Sequence, residues 1–446
     1  MQKHTCDVAI VGAGMVGLSL ALALQKDGID AVVIDKNDMA ELQQQAHNQA
    51  TEDNVYSPRV SAISLASQRL FEQLDVWSSI TRKAPYQAMQ VWEDQGFGSI
   101  DFDAQSSHQH ELGHIVENNL LVSALLHKAQ SFGITLYSNS KIDSIEHTDL
   151  SGQKANANSL NKINKSAVQK GLVDQRVLIK LQDCEGQATK NARSIDCQLV
   201  VGADGGNSWL RQYYKLPVTF WDYEHTAIVA NVTTGLSHQH IARQAFSKTG
   251  PLAFLPLADE HQCSIVWSQN TDVANDLLDL DEDEFCQRLQ VAIDGRLGQV
   301  ALSTQRYAVP LKMQYVRQWA DDGMVLVGDA AHTIHPLAGQ GVNLGLIDAA
   351  ALAEHLFKLK QEGKSLYPRK NLRPYERWRK TDALKVVATM EVFKQLFDGD
   401  NPIKKLARNL GLKAANDIYI VKKFFIDQAI GGAGKKPKIM EFDKIK

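Results

Sequence analysis

Three short stretches combine bare backbone with a carboxylate in a way that suits a phosphate- and sugar-bearing ligand. The first is Gly12-Ala-Gly-Met-Val-Gly17, followed by Asp35. Here the first glycine permits a tight turn, the second lets backbone approach a pyrophosphate, and the third allows close helix–strand packing. Asp35 stands near the spacing of about 20 residues expected for a carboxylate that binds a ribose. The second is Gly202-Ala-Asp-Gly205, with Asn207 or Ser208 placed to cap a helix carrying Arg211. The third runs from Gly328-Asp329 through His332, His335 and Pro336 to Gly339-Gln-Gly-Val-Asn343. There Asp329 could accept hydrogen bonds from the hydroxyls of a sugar-like chain. The amides around Gly339 and Gly341 would gather at a helix N-terminus, which favours an anion or a polarised ring edge.

Each stretch needs a strand before it and a helix after it. Asp7–Val11 reads as a strand, Leu18–Lys26 as a helix closed by Gly28, and Ala31–Ile34 as the returning strand. That setting turns a weak glycine motif into a dinucleotide-binding signal. Leu199–Val201 and Met324–Val327 read as buried parallel strands, and an Ala/Leu-rich helix runs from about Gln340 towards Leu356. Open α/β sheets bind ligands at the C-terminal ends of such strands. Incidental glycines at strand–loop–helix corners are the plainer alternative. Gly431-Gly-Ala-Gly434 follows no strand and reads as tail, so one dinucleotide is held by its own unit.

The whole chain, 446 residues with net charge −3, is long enough for two or three domains and gives no global reason to bind nucleic acid. Five scattered cysteines without a C-x-x-C pair point to buried thiols in a reducing compartment rather than to disulfides or zinc. The apolar run Val8–Leu24 imitates a signal peptide, but its glycines and the missing cleavage site point to strand, turn and helix in a cytoplasmic protein. Residues 40–57 read as an exposed loop, and Arg59-Val-Ser-Ala-Ile-Ser64 as the opening of a helix reaching about Leu74. Residues 148–175 read as a mobile hairpin insertion. Alternating stretches at 226–232, 242–246 and 263–267 predict an antiparallel sheet, with Leu252–Leu257 facing a pocket. Residues 366–446 read as mostly helical.

In this fixed order the three signatures resemble the single-component FAD-dependent aromatic hydroxylases with the para-hydroxybenzoate hydroxylase fold. Arg59–Ser64, Gly113-His-Ile-Val-Glu-Asn118, Phe220-Trp-Asp-Tyr223, Ala253–Leu257 and Gly328–Gly345 bring the chain closer to the bacterial ubiquinone-biosynthesis hydroxylases. Within them it is most similar to the branch acting on 2-polyprenylphenols at ring position C5.

The resemblance implies an α/β fold: a Rossmann-like FAD-binding domain, an antiparallel-sheet substrate domain and a C-terminal helical region. The FAD-binding domain would comprise residues 1–84, 113–212 and 320–365. The substrate domain would comprise residues 85–112 and 213–319, and residues 366–446 would add C-terminal helices and a basic tail. It also implies that FAD is reduced by NAD(P)H, and that dioxygen, added at flavin C4a as a hydroperoxide, oxidises the phenol ring. Gly12, Ala13, Gly14, Met15, Val16 and Gly17 would hold the pyrophosphate and Asp35 the adenosine ribose. Arg59 would face the flavin side, and Asp204 would bridge FAD and nicotinamide binding. Gly328 and Asp329 would take the ribityl chain, and Pro336, with His335 nearby, would lie against the isoalloxazine. Gly339, Gln340, Gly341, Val342 and Asn343 would address its pyrimidine edge. Glu117 departs from the Gln or Arg of many relatives.

No sequence pattern marks a dedicated general base. His332 and His335 could ligate a metal or move protons, but no acidic ligand set accompanies them, so their expected work is shaping the loop. A non-oxygenating flavin oxidoreductase and a flavin-bound interaction subunit are the rival classes. The expected partners are a polyprenyl phenol, other ubiquinone-biosynthesis proteins in a soluble complex, and a second copy of the chain in a homo-oligomer. Residues 401–446 carry eleven Lys or Arg against four Asp or Glu. Such a tail either packs on the FAD domain or makes a peripheral membrane contact.

Overall fold

The computed structural model describes residues 2–51, 55–94, 98–149, 175–184, 193–333, 341–397, 430–431 and 434–441. The three signature strands lie side by side at its centre. Leu199–Gly202 is flanked by Val8–Val11 and Met324–Leu326, all parallel, and Ala31–Ile34 and Thr135–Tyr137 extend the sheet beyond Val8–Val11. Ala320–Asp321 completes a six-stranded sheet as an antiparallel edge.

Parallel strands are covered on both faces, so their residues are apolar throughout rather than alternating. Val8, Ile10, Val201 and Val325 face a core built with helices Met15–Lys26, Asn118–Ser131 and Gly341–Gln361. Ala9, Val11, Val200, Met324 and Leu326 face the opposite core. A four-stranded sheet, including Gln175–Asp183 and Arg193–Cys197, closes that side. The apolar run near the N-terminus is therefore strand, glycine turn and helix, as its glycines require.

Among the described residues the second large unit is a nine-stranded sheet. Its centre is antiparallel: Val218–Thr234, Gln262–Asn270, Gly250–Pro256 and Ile241–Ser247. Ala253, Leu255 and Leu257 point into one core and Leu252 and Phe254 into another, the alternation of a sheet packed on both faces. A small sheet of Val60–Ser64, Ala84–Tyr86 and Gly113–Glu117 covers the first of these faces through Ala62, Tyr86 and Ile115.

Two local expectations are corrected. Residues 39–51 form a helix, not an exposed loop; Asp38 Oδ1 accepts from the Ala40 and Glu41 amides at 2.8 and 3.2 Å and starts it. Only Met39 and Ala46 of that helix are buried, so it shows no apolar stripe to the sequence. Val60–Ser64 is a strand, and the helix begins only at Leu65, capped by the Ser64 hydroxyl, which accepts from Ser67 N at 3.3 Å.

The expected insertion is framed by a hairpin, Asp149 pairing with Gln175, and residues 150–174 lie outside the described residues. Helix Arg369–Phe397 opens the C-terminal region and contains Pro374. Residues 398–429, 432–433 and 442–446 lie outside the described residues, whereas 430–431 and 434–441 are described. Ile430 O accepts from Ala66 N at 3.2 Å, Lys438 N donates to Glu354 at 2.7 Å, and Met440 is buried in the helical core beside the first signature strand. The described part of the tail thus packs in two places, Met440 in the core beside the glycine turns and Ile430 in the core between the small sheet and the nine-stranded sheet. Among the described residues no helix is long and apolar enough to cross a membrane.

Candidate functional site

Because the three central strands run parallel, their following turns emerge at one edge. The ladder continues one step beyond them: Gly12 N donates to Ile34 O at 2.8 Å, Ala203 N to Val11 O at 2.8 Å, and Val327 N to Gly202 O at 3.0 Å. Gly12, Asp204, Asp329 and Asp35 therefore meet along a single rim.

At the first turn, Gly12 has φ +111°, and a Cβ there would collide with the Ala203 carbonyl oxygen of the neighbouring turn. At Gly17 a Cβ would strike the Gly12 carbonyl. Gly14 differs: a Cβ would meet no protein atom within 4 Å, so this position faces open space. The first intrahelical bond comes from Leu18 N to Gly14 O. The amides of Met15, Val16 and Gly17 thus sit in the first turn, where a helix supplies no partner. Asp35 closes the turn from the next strand, accepting from Ala13 N at 2.6 Å and from Asn37 N at 2.8 Å.

At the second turn Ser208, not Asn207, caps the short helix, accepting from Arg211 N at 3.1 Å. Asp204 accepts from Leu210 N at 3.2 Å through Oδ2, while its Oδ1 is buried without a partner. An unpaired buried carboxylate oxygen is costly, so it needs a donor that the described residues do not supply.

The third turn is the most heavily tied. Gly328 N donates to Asp348 Oδ2 at 3.0 Å, Ala330 O accepts from Arg211 at 3.1 Å, and His332 Nε2 bonds to Asp348 Oδ2 at 2.6 Å. Thr333 receives Gln314 Nε2 at 2.9 Å, and the same amide reaches Gly206 O. His332–Thr333 also pairs with Gln314 and Tyr315 of the nine-stranded sheet. Asp329 itself is left open to solvent at the rim. Surrounding protein nevertheless raises its pKa, offset in part by His332 and, more weakly, by Arg59. An accessible carboxylate with that much protein around it is what the floor of a cleft produces. Arg59 is exposed on the same side.

Ile334, His335, Pro336, Gly339 and Gln340 lie outside the described residues. Helix Gly341–Gln361 starts directly after them. Gly345 and Gly328 leave just enough room for Val16 between the first and third turns. The Asn343 side chain is turned inward, accepting from Ser64 N at 3.0 Å and donating to Ala62 O at 2.7 Å. Any ligand contact there falls to the backbone of Gly341, Val342 and Asn343. Glu117 faces elsewhere: it is buried, takes Arg82 Nε at 3.0 Å and Ser57 N at 2.6 Å, and burial raises its pKa against those partners. It shares a small pocket with Tyr56, Arg82, Ile115 and Leu257 beside the apolar sheet face.

The residues present fit FAD. Open space over Gly14, unpaired helix amides behind it, the orphan Asp204 oxygen and the cleft carboxylate Asp329 match a pyrophosphate followed by a hydroxyl-rich chain. Sequence reasoning placed the three turns but missed Asp348, Arg379 and Gln314, and saw Arg211 without its target. Among the described residues no group of three or more His, Cys, Asp or Glu could hold a metal, and His332 is engaged by Asp348.

Comparison with known proteins agrees with this geometry. The family model described as FAD binding domain matches residues 5–168 and 178–389. The ubiquinone hydroxylase UbiL of Rhodospirillum rubrum is 32% identical over 427 residues, covering 95% of this chain and 89% of the relative. The 3-demethoxyubiquinol 3-hydroxylase of Escherichia coli is 31% identical over 434 residues, covering 97% and 100%. Among solved structures, the p-nitrophenol 4-monooxygenase PnpA of Pseudomonas putida superposes with a TM-score of 0.70 at 18% identity, covering 98% of this chain and 100% of that one. That last likeness concerns the fold.

Proposed function

This chain belongs to the FAD-binding-domain family, among the FAD-dependent hydroxylases of ubiquinone biosynthesis, and from that premise we propose that it hydroxylates the ring of a polyprenyl phenol at C5. The net reaction converts a ring C–H, dioxygen, NAD(P)H and a proton into a ring C–OH, NAD(P)+ and water. Bound FAD supplies the electron transfer and the oxygen activation that no side chain can.

The chain's own residues bind, orient and exclude water. In this assignment Gly12–Gly17 seats the pyrophosphate on the amides of Met15, Val16 and Gly17, and Asp35 keeps lone pairs for the adenosine ribose beyond its bond to Ala13. The orphan Asp204 oxygen takes a donor from the cofactor or the nicotinamide, and Asp329 takes the ribityl hydroxyls. The amides of Gly341–Asn343 begin a 21-residue helix, whose positive end favours negative charge on the reduced ring. Pro336, Gly339 and Gln340 belong to the same assignment.

The observation that carries the phenol reading is the apolar face of Ala253, Leu255 and Leu257. It packs against the small sheet that Asn343 ties to the cofactor helix. Beside that packed face, the pocket lined by Tyr56, Ile115 and Leu257 would give a ring with a prenyl tail an apolar wall and keep water from the reacting carbon. Other proteins of the pathway would hand over the lipid, and a second copy of the chain would complete the assembly. The basic stretch of the tail would steer the protein to an anionic surface, a role tested by salt-dependent liposome flotation. Hydroxylation at another ring position is the second reading, because the Escherichia coli relative is a 3-hydroxylase of a demethoxyubiquinol. Quinone intermediates extracted from cells lacking the protein decide between them: the C5 reading expects a ring unsubstituted at C5. Accumulation of an intermediate already oxygenated there contradicts it.

A further inference from the structure

Asp348 is a carboxylate sealed from solvent on a helix otherwise lined by alanine and leucine, at 0% exposure. Three elements converge on it. Oδ2 accepts from Gly328 N at 3.0 Å and from His332 Nε2 at 2.6 Å, and Oδ1 accepts from Arg379 Nε at 2.6 Å. Arg379, on helix Arg369–Phe397, is 1% exposed and also reaches Asp382 at 2.9 Å. Burial opposes the Asp348 charge, but His332 and Arg379 outweigh it and hold the pKa below the usual carboxylate range. An ionised carboxylate only accepts, so His332 Nε2 carries the proton between them. The ring is held in place by Trp319, with centroids 5.0 Å apart.

A buried charge cluster is a poor device for stability alone, since apolar residues of similar volume often do as well or better. What this one accomplishes is geometric. Gly328 and His332 bracket Asp329, so a single carboxylate fixes the backbone on both sides of the residue assigned to the ribityl chain. Through Arg379 the C-terminal helix takes part in the same clamp.

We infer that Asp348 and His332 are positioning residues for the flavin reaction, holding the Gly328–Thr333 loop in its FAD-ready shape before the cofactor arrives. This rests on the FAD assignment of Asp329 above. Preorganised loops bind without the cost of ordering at the moment of binding, so loosening this one weakens FAD while the remainder of the fold stays intact.

His332→Asn and His332→Gln separate positioning from simple structural support, because both leave the Asp348–Arg379 pair in place. The glutamine amide reaches the position of Nε2, and the shorter asparagine does not. Three quantities are read on each full-length variant: the FAD dissociation constant, the reduction potential of bound FAD, and the melting temperature of the apoprotein. The expected result is about tenfold weaker FAD binding and a shifted potential in His332→Asn, the scale of one lost charge-assisted hydrogen bond. His332→Gln returns to the wild-type values, and the two apoproteins melt alike. Wild-type affinity and potential in His332→Asn overturn the positioning role. So does equal loss in both variants that merely follows a fall in apoprotein melting. Flavin content of the wild type is read first: a wild type that takes up no FAD overturns the function itself, whereas a flavin-replete wild type beside an unaffected His332→Asn overturns this inference alone.

Discussion

Arg211 donates through one guanidinium nitrogen to Ala330 O at 3.1 Å and through the other to Gly206 O at 2.6 Å, tying the second turn to the third. Its fork geometry serves two carbonyls at once, which a lysine ammonium on a flexible stem does not reproduce. Arg211→Met keeps most of the volume and removes both bonds. FAD affinity, measured by equilibrium dialysis, should fall about tenfold or more, in keeping with 1.5–3 kcal/mol for a hydrogen bond to a charged group.

Gly14 and Gly12 make opposite predictions although they stand two residues apart. A side chain at Gly14 meets open space in the protein, so Gly14→Val should fold, melt close to wild type and lose FAD on gel filtration. Gly12→Val adds a side chain at φ +111° against a backbone carbonyl and should yield little folded protein at all. A flavin-replete Gly14→Val would contradict the pyrophosphate assignment.

Most of the rim was legible in the sequence because short buried runs ending in glycine and a carboxylate leave few alternatives. Val8–Val11, Leu199–Gly202 and Met324–Leu326 are all buried strands where such runs predict them. Helix Met39–Thr51 was hidden because a surface helix with two buried residues has no periodicity to detect. Val60–Ser64 was misread because a five-residue run of Val, Ser, Ala and Ile fits a helix start as well as a strand until its partner, Gly113–Glu117, is known. The Asp348–Arg379 pair joins residues 31 positions apart on separate helices, a relationship only the fold creates. His332 does shape the loop, as expected, but through a buried carboxylate that no local pattern announced.

Asp329 should make the apoprotein less stable as pH rises. Its folded pKa lies above the ordinary value of 3.8, so between the two the folded state binds more protons than the unfolded one. Stability is therefore lost as pH climbs through that window and stays lost above it. Asp329→Asn should melt higher than wild type as apoprotein at pH 7, with the difference vanishing below about pH 4. The same substitution should weaken FAD binding.

His114 has the opposite acid sensitivity. It is buried on strand Gly113–Glu117 with its ring edge-on to Trp77 at 4.9 Å, and burial, with the Lys83 charge beside it, pulls its pKa down to about 4. Between the ordinary value of 6.5 and about 4 the unfolded chain takes up a proton that the folded chain refuses. Stability should fall as pH drops across that range, and His114→Gln should flatten the fall in a series of urea titrations.

Oxygen labelling traces the ring hydroxyl to its source. Purified holoprotein is given a polyprenyl phenol and NAD(P)H under isotopically labelled dioxygen in ordinary water, and the product is weighed by mass spectrometry. One labelled oxygen atom on the ring is expected for each NAD(P)H consumed in coupled turnover, with nicotinamide oxidation accelerated by the phenol. A hydroxylated product whose oxygen comes from water, or substrate oxidised with no oxygen incorporated, would rule out the monooxygenase reaction.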